Sequence, residues 1–238
     1  MLVSANEVNR SAEKAYQKTL REAQAKKLLN RDPEQLARVR AIAQRLIPAT
    51  AAFRRDAPGW QWEVNVLSSK EINAWCMPGG KIAVYTGLIE QLQPSDEELA
   101  AVMSHEIAHA LREHGREKAS QATGVGLAAL GGALLGAYYG IDPSLTRDVL
   151  GTVGDLAFMR PNSRAMETEA DRIGVELAAR AGYDPQGAIT LWEKMSHVSN
   201  GQPPQWLSTH PSHESRIADL RAYVDRVRPL YAPAHQGR

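Results

Sequence analysis

Residues 105–109 read His-Glu-Ile-Ala-His, inside a stretch with the pattern of a helix. On a helix, positions i and i+4 share one face. Any fold this chain adopts must therefore bring two imidazoles and the carboxylate between them to one place. His105 and His109 are spaced to share one metal ion, and Glu106 can reach a water bound beside them. His-Glu-x-x-His is the zinc-hydrolase pattern, in which the glutamate is the general base. Ser95 and Glu98 fit a capping box at the start of this helix, after Pro94, and the acidic first turn suits the helix dipole. Gly115 is the expected stop.

A catalytic zinc usually takes three protein ligands and leaves one position for water. One extended pattern places the third ligand in His-Glu-x-x-His-x-x-Gly-x-x-His. Here Arg112 occupies the glycine position and Gly115 the last histidine position, so that pattern fails. A carboxylate some twenty residues on would fall in an uncharged, glycine-rich stretch. His114, five residues after His109, lies off the shared face and reads as a surface histidine. Glu167-Thr168-Glu169-Ala170-Asp171 supplies the best candidate. Glu167 and Asp171 are i and i+4 on one helix face. Glu167 is assigned to zinc, and Asp171 to the N–H of a ligand histidine, a bond that sets the ring tautomer and its basicity. Glu169 points away, towards solvent or a surface cation. In this scheme Glu106 accepts a proton from water and passes it to the leaving amine.

The rest of the chain reads as a mostly helical protein with a small sheet. Ser4 with Glu7 caps an amphipathic helix reaching about Leu29, and a second helix runs from about Pro33 to Leu46. Residues 61–66 alternate polar and apolar, the period of a half-buried strand. Met77-Pro78-Gly79-Gly80 is a turn signal, and Lys81 to Thr86 reads as a second strand. A helix from Asn162 to Ala181 stops at Gly182, and Asp184-Pro185 restarts one. Residues 202–204 read as a loop and 208–211 as a turn-like stretch. A last helix spans about His213 to Arg228, with a frayed tail over 232–238. The 238 residues, 43% hydrophobic and 23% charged, are enough for one domain with a core. With 28 Lys+Arg against 27 Asp+Glu there is no basic field for nucleic acid. The lone Cys76 excludes an intrachain disulfide.

Ala122 to Ile141 carries no charge and is about 20 residues long, enough to consider as a membrane span. Its six glycines each cost a helix about 1 kcal/mol. Gly132, Gly136 and Gly140 leave one face nearly bare, which suits close helix packing. A buried or loosely ordered segment near the active site is the preferred reading, ahead of a membrane-touching role or a true span. The opening Met-Leu-Val-Ser-Ala-Asn-Glu has no basic region followed by an apolar run, so no signal peptide is expected in it. The chain is then either cytoplasmic or has had a targeting segment removed.

Three blocks carry a family resemblance: Ala74 to Val84 (Ala-Trp-Cys-Met-Pro-Gly-Gly-Lys-Ile-Ala-Val), Ser104 to His109, and Ser163-Arg164 with Glu167 to Gly174. On these, residues from about Val64 to Arg216 resemble the zinc endopeptidases that include HtpX, the CAAX prenyl proteases, the mitochondrial OMA-type proteases and the β-barrel assembly-enhancing proteases. This is metallopeptidase family forty-eight. The resemblance implies an α+β, predominantly helical gluzincin-type domain over 1–238, with an N-terminal helix in 1–30 and a catalytic core in 61–228. It implies one Zn2+ per chain, with Glu167 as third ligand. It also implies that the Pro78-to-Thr86 strand is an exposed sheet edge preceding the active helix. Gly79, Gly80, Lys81, Ile82, Ala83 and Val84 would then bind an extended substrate through main-chain bonds. A fourth block, Thr209-His210-Pro211 with Arg216, implies a histidine near the zinc. His210 is then a self-inhibiting plug, an oxyanion donor, or a loop residue without a role. Arg216 pairs with Glu167 or with the substrate carbonyl.

Within the 238 residues there is neither the helical-repeat domain of some members nor the several membrane helices of others. The nearest pattern is that of small periplasmic or lipid-anchored members such as LoiP. The expected function is internal cleavage of unfolded or misassembled envelope proteins, in the periplasm or at the periplasmic face of the outer membrane. Contact with the membrane or its assembly machinery would go through 122–141. The rival is a zinc-bound, self-blocked chaperone that holds clients uncut, and an exopeptidase is a third possibility.

Overall fold

The computed structural model describes residues 1–124, 162–198, 205–210 and 214–236. The segment 125–141, which holds most of the glycine-rich stretch, and the loop at 202–204 lie outside the described residues. Among the described residues no helix is long and apolar enough to cross a membrane.

Two helices open the chain, α1 (Ala5–Ala25) and α2 (Pro33–Ala49). The Ser4–Glu7 capping box forms in full at α1, and Asp32 caps α2 through the backbone N–H groups of Glu34 and Gln35. Three strands follow: β1 (Glu63–Leu67), β2 (Ala74–Met77) and β3 (Lys81–Tyr85). Gly79 and Gly80, at φ 85° and 88°, close the β2–β3 hairpin in a conformation that disfavours a side chain. The strand order is β1-β3-β2, with β3 parallel to β1 and antiparallel to β2.

That order corrects the expected substrate strand. Lys81 to Val84 form the centre of the sheet, paired on both sides, and are buried. Lys81 Nζ is held by Glu63 at 2.6 Å, by Glu13 of α1 at 3.1 Å and by the Gln61 carbonyl at 2.8 Å. Gly80 backs onto the Trp62 ring. Strand addition needs an open row of backbone groups, which β3 lacks. The edge beside the motif helix is β2 instead.

Short helix α3 (Thr86–Leu92) leads to α4 (Asp96–Leu111), which carries the motif. The Ser95–Glu98 capping box forms as expected. From Glu98 to Leu111 every residue of α4 is buried, since β2, α2 and two later helices surround it. Such a helix has no solvent face, and its alanine-rich sequence follows from that. The helix ends before Gly115. Arg112 caps it and Glu113 adopts φ 58°, with its carboxylate held by Arg54 at 3.0 Å and Arg116 at 2.7 Å. Those ion pairs hold a left-handed glutamate two residues before the expected glycine stop. A second helical stretch, α5 (residues 114–124), then begins at His114.

The remaining helices among the described residues are α6 (Arg164–Arg180), α7 (Gly187–Val198), α8 (Gln205–Thr209) and α9 (Glu214–Gln236). Ser208 and Thr209, read from sequence as part of a turn, belong to α8. The last helix runs on to Gln236, past the expected end at Arg228 and into the supposed frayed tail. α6 packs directly on α4. The crossing is close because Gly174 has no side chain: a Cβ there would lie 2.9 Å from the Cα and N of His105. Gly174→Ala should therefore cost about 1–3 kcal/mol, as overpacking does. Urea denaturation checks this, and an unchanged midpoint would contradict the close crossing.

Candidate metal centre

Helix spacing places His105 and His109 side by side on α4, and α6 brings Glu167 across from them. His105 Nε2 lies 3.0 Å from His109 Nε2, and Glu167 oxygens lie 3.6 Å from His105 Nε2 and 3.4 Å from His109 Nε2. Ligands at about 2.0–2.1 Å from a tetrahedral zinc ion are about 3.3 Å apart. The three edges thus have the size that a zinc ion needs. His210, at the end of α8, completes a buried group of four whose ligand atoms all lie within 4.8 Å of one another.

The supports around these atoms fix their orientation. Asp171 Oδ1 is 3.1 Å from His105 Nδ1, on the far side of the ring from the cluster. Arg216 of α9 donates to both Asp171 oxygens, at 2.7 and 2.8 Å, and its Nη1 lies 2.8 Å from Glu167 Oε2 as a charge partner. Glu167 Oε2 is buried and takes no hydrogen bond of good geometry among the described residues. Its other oxygen accepts from Asn162 Nδ2 at 2.7 Å. A buried carboxylate whose two oxygens each face an imidazole nitrogen, one towards His105 and one towards His109, fits a cation between them.

Burial opposes charge on every group here, and the outcomes differ. It acts to raise the Asp171 carboxyl, but hydrogen bonds from His105 and Arg216 outweigh it and hold the group at about 2. Burial disfavours charge on His105 too, yet its bond to Asp171 and the Glu167 charge bring its pKa above the ordinary histidine value. His109 and His210 are pushed well below that value, chiefly by burial and then by the His105 charge. Neutral imidazoles are what a metal requires. Burial pushes Glu106 up to about 7, against the opposing effects of His105 and of a hydrogen bond from Trp206.

Trp206 was not legible as a functional residue. Its Nε1 donates to Glu106 Oε1 at 2.6 Å, and its ring stacks on His210 with centroids 4.7 Å apart. Its backbone N–H donates to the Ile72 carbonyl at 3.2 Å, pinning α8 to the segment before β2. A signal is present in the sequence, since Trp206 and His210 are i and i+4, but it shows only if residues 205–209 are helical, and the turn-like pattern expected over 208–211 hides that. His210 Nε2 lies 3.5 Å from Glu106 Oε1. Arg216, expected to face either Glu167 or substrate, is 3% exposed and spans two carboxylates. His114 is not on the surface: it is buried and contacts His109. Glu169 meets a surface cation as expected, Arg112 at 2.8 Å, and meets His114 as well.

Two histidines of α4 and a glutamate of α6 thus lie in one buried group that could hold a metal ion, within a predominantly helical domain of the gluzincin type. The chain belongs to Peptidase family M48, whose model matches residues 33–224. It is 35% identical over 233 residues to "Metalloendopeptidase OMA1, mitochondrial" of Bos taurus, covering 92% of this chain and 42% of that protein. It is 39% identical over 182 residues to the mitochondrial metalloendopeptidase OMA1 of Arabidopsis thaliana, covering 76% of this chain and 36% of that protein. With the "Beta-barrel assembly-enhancing protease" of Escherichia coli K12 it shares 34% identity over 179 residues, covering 69% of this chain and 35% of that protein. The chain thus spans well under half the length of these relatives.

Proposed function

We propose that this chain is a zinc-dependent endopeptidase acting on unfolded or misassembled proteins, with one Zn2+ held by His105, His109 and Glu167. The observation that carries the proposal is the buried tetrahedron-sized cluster with Glu106 beside it. Bound there, zinc would supply Lewis-acid polarisation of the scissile carbonyl and a more acidic water. Glu106 takes the proton from the attacking water and returns it to the departing amine. A carboxyl near neutrality suits both transfers. Asp171 holds the His105 ring with Nδ1–H outward, and Arg216 pairs with the carboxylates of both Asp171 and Glu167. The substrate adds to the β2 edge, Ala74–Met77, as an extended strand. That mode reads backbone rather than sequence, which suits unfolded clients.

The test is incubation with a disordered protein such as casein, followed by product mass spectrometry. Internal cuts abolished by chelator support the reading. Trimmed ends would indicate an exopeptidase. Client holding without cleavage, surviving chelator, would support the chaperone alternative. An envelope location is our reading from the likeness to the β-barrel assembly-enhancing protease; the OMA1 relatives carry a mitochondrial name, and fractionation decides between compartments.

His210 is proposed as a self-inhibiting plug, because it lies within the ligand group and next to Glu106. His210→Ala should then raise the rate of casein cleavage, by about tenfold for each 1.4 kcal/mol with which the ring holds its place. An oxyanion donor would behave oppositely, with a fall of about 10²–10³ on its removal.

A further inference from the structure

Each of the two proposed ligand rings on α4 has its Nδ1 engaged, but the two supports differ. His105 Nδ1 meets a carboxylate directly. His109 Nδ1 meets a second imidazole: His114 Nδ1 lies 2.8 Å away, and His114 Nε2 lies 3.0 Å from Glu169 Oε2. We propose that His114 and Glu169 form a positioning relay that fixes the tautomer of His109 for metal binding. The proposal rests on the reading that His109 is a ligand.

One proton arrangement satisfies every contact with neutral rings. The Glu169 carboxylate has no proton to give, so it accepts the Nε2–H of His114. His114 Nδ1 then carries a lone pair and accepts the Nδ1–H of His109. His109 Nε2 is left with its lone pair aimed at His105 Nε2 and Glu167, where the metal is proposed to sit. The opposite tautomer of His109 would set two lone pairs against each other at 2.8 Å. A ligand ring held by an outer carboxylate is a common way to fix orientation and raise basicity. Here the carboxylate is too far out to reach the ligand, and an imidazole carries the bond inward. Glu169 is anchored from its other oxygen by Arg112, so the relay starts from a fixed point at the surface. The turn at Arg112–Glu113 makes this possible, because it breaks the helix and brings His114 back over His109.

The test measures zinc affinity by chelator competition, with the thermal midpoint of the metal-free chain recorded in parallel. His114→Phe keeps the ring and removes both nitrogens. Its zinc dissociation constant should rise about 10–100-fold, with the metal-free midpoint near that of wild type. His114→Asn restores an acceptor where Nδ1 stood and should recover most of that loss. Glu169→Gln, at a half-exposed position, can donate as well as accept and should weaken binding by about three- to tenfold. If His114→Phe does not fold, the Asn and Gln variants decide. Zinc affinity within about twofold of wild type in the Phe variant, or an Asn variant no better than Phe, would overturn the relay. Failure of the wild-type chain to bind one zinc would instead overturn the underlying reading of the metal centre.

Discussion

Glu106→Gln should keep one zinc per chain and lose peptide hydrolysis by about two to four orders of magnitude, the usual contribution of a general acid–base group. The substitution is nearly isosteric, and its amide oxygen can still accept from Trp206 Nε1, which lies 2.6 Å from Glu106 Oε1 in the wild-type chain. Glu106 is not among the residues whose atoms could hold the metal, so removing its charge leaves the cluster of His105, His109, Glu167 and His210 intact. What is lost is a site that accepts a proton, since an amide cannot. Zinc content by elemental analysis and initial rates on casein are the two readouts. Full activity in a zinc-loaded Gln variant would place the base elsewhere.

Arg216→Leu should have the largest effect on stability. The guanidinium is 3% exposed and meets Asp171, at 6%, and Glu167, at 1%. It also lies 4.8 Å over the Trp192 ring. Removing one partner of a buried ion pair leaves uncompensated charge and costs about 3–5 kcal/mol. Urea unfolding of the metal-free chain measures this. Added zinc should recover part of the loss, because a cation beside Glu167 replaces one of the missing contacts. A loss below about 1 kcal/mol would mean that Arg216 does not hold the two carboxylates together.

Much of this site could be read from local spacing. The i, i+4 pairs His105/His109 and Glu167/Asp171 are set by helix geometry alone, and both capping boxes are written in four residues each. What escaped reading depends on contacts distant in sequence. The centrality of β3 follows from β1 pairing with it across the β2 excursion, and no alternation within Lys81–Tyr85 reports that. His114 was misplaced because an unbroken helix would carry it off the His109 face. The left-handed Glu113, held by Arg54 from a distant segment, resets its direction. The roles of Trp206 and Arg216 depend on α8 and α9 folding back over α4 and α6, which spacing within either stretch does not encode.

Peptide hydrolysis by this chain is proposed to depend on one zinc ion held by His105, His109 and Glu167. The direct measurement is cleavage of casein by the metal-free 238-residue chain as zinc is titrated in. No cleavage is expected without metal, with a rise that saturates at one zinc per chain and no such rise in a His109→Ala variant. Cleavage by the metal-free chain in excess chelator, or a zinc-dependent rise that survives His109→Ala, would contradict it.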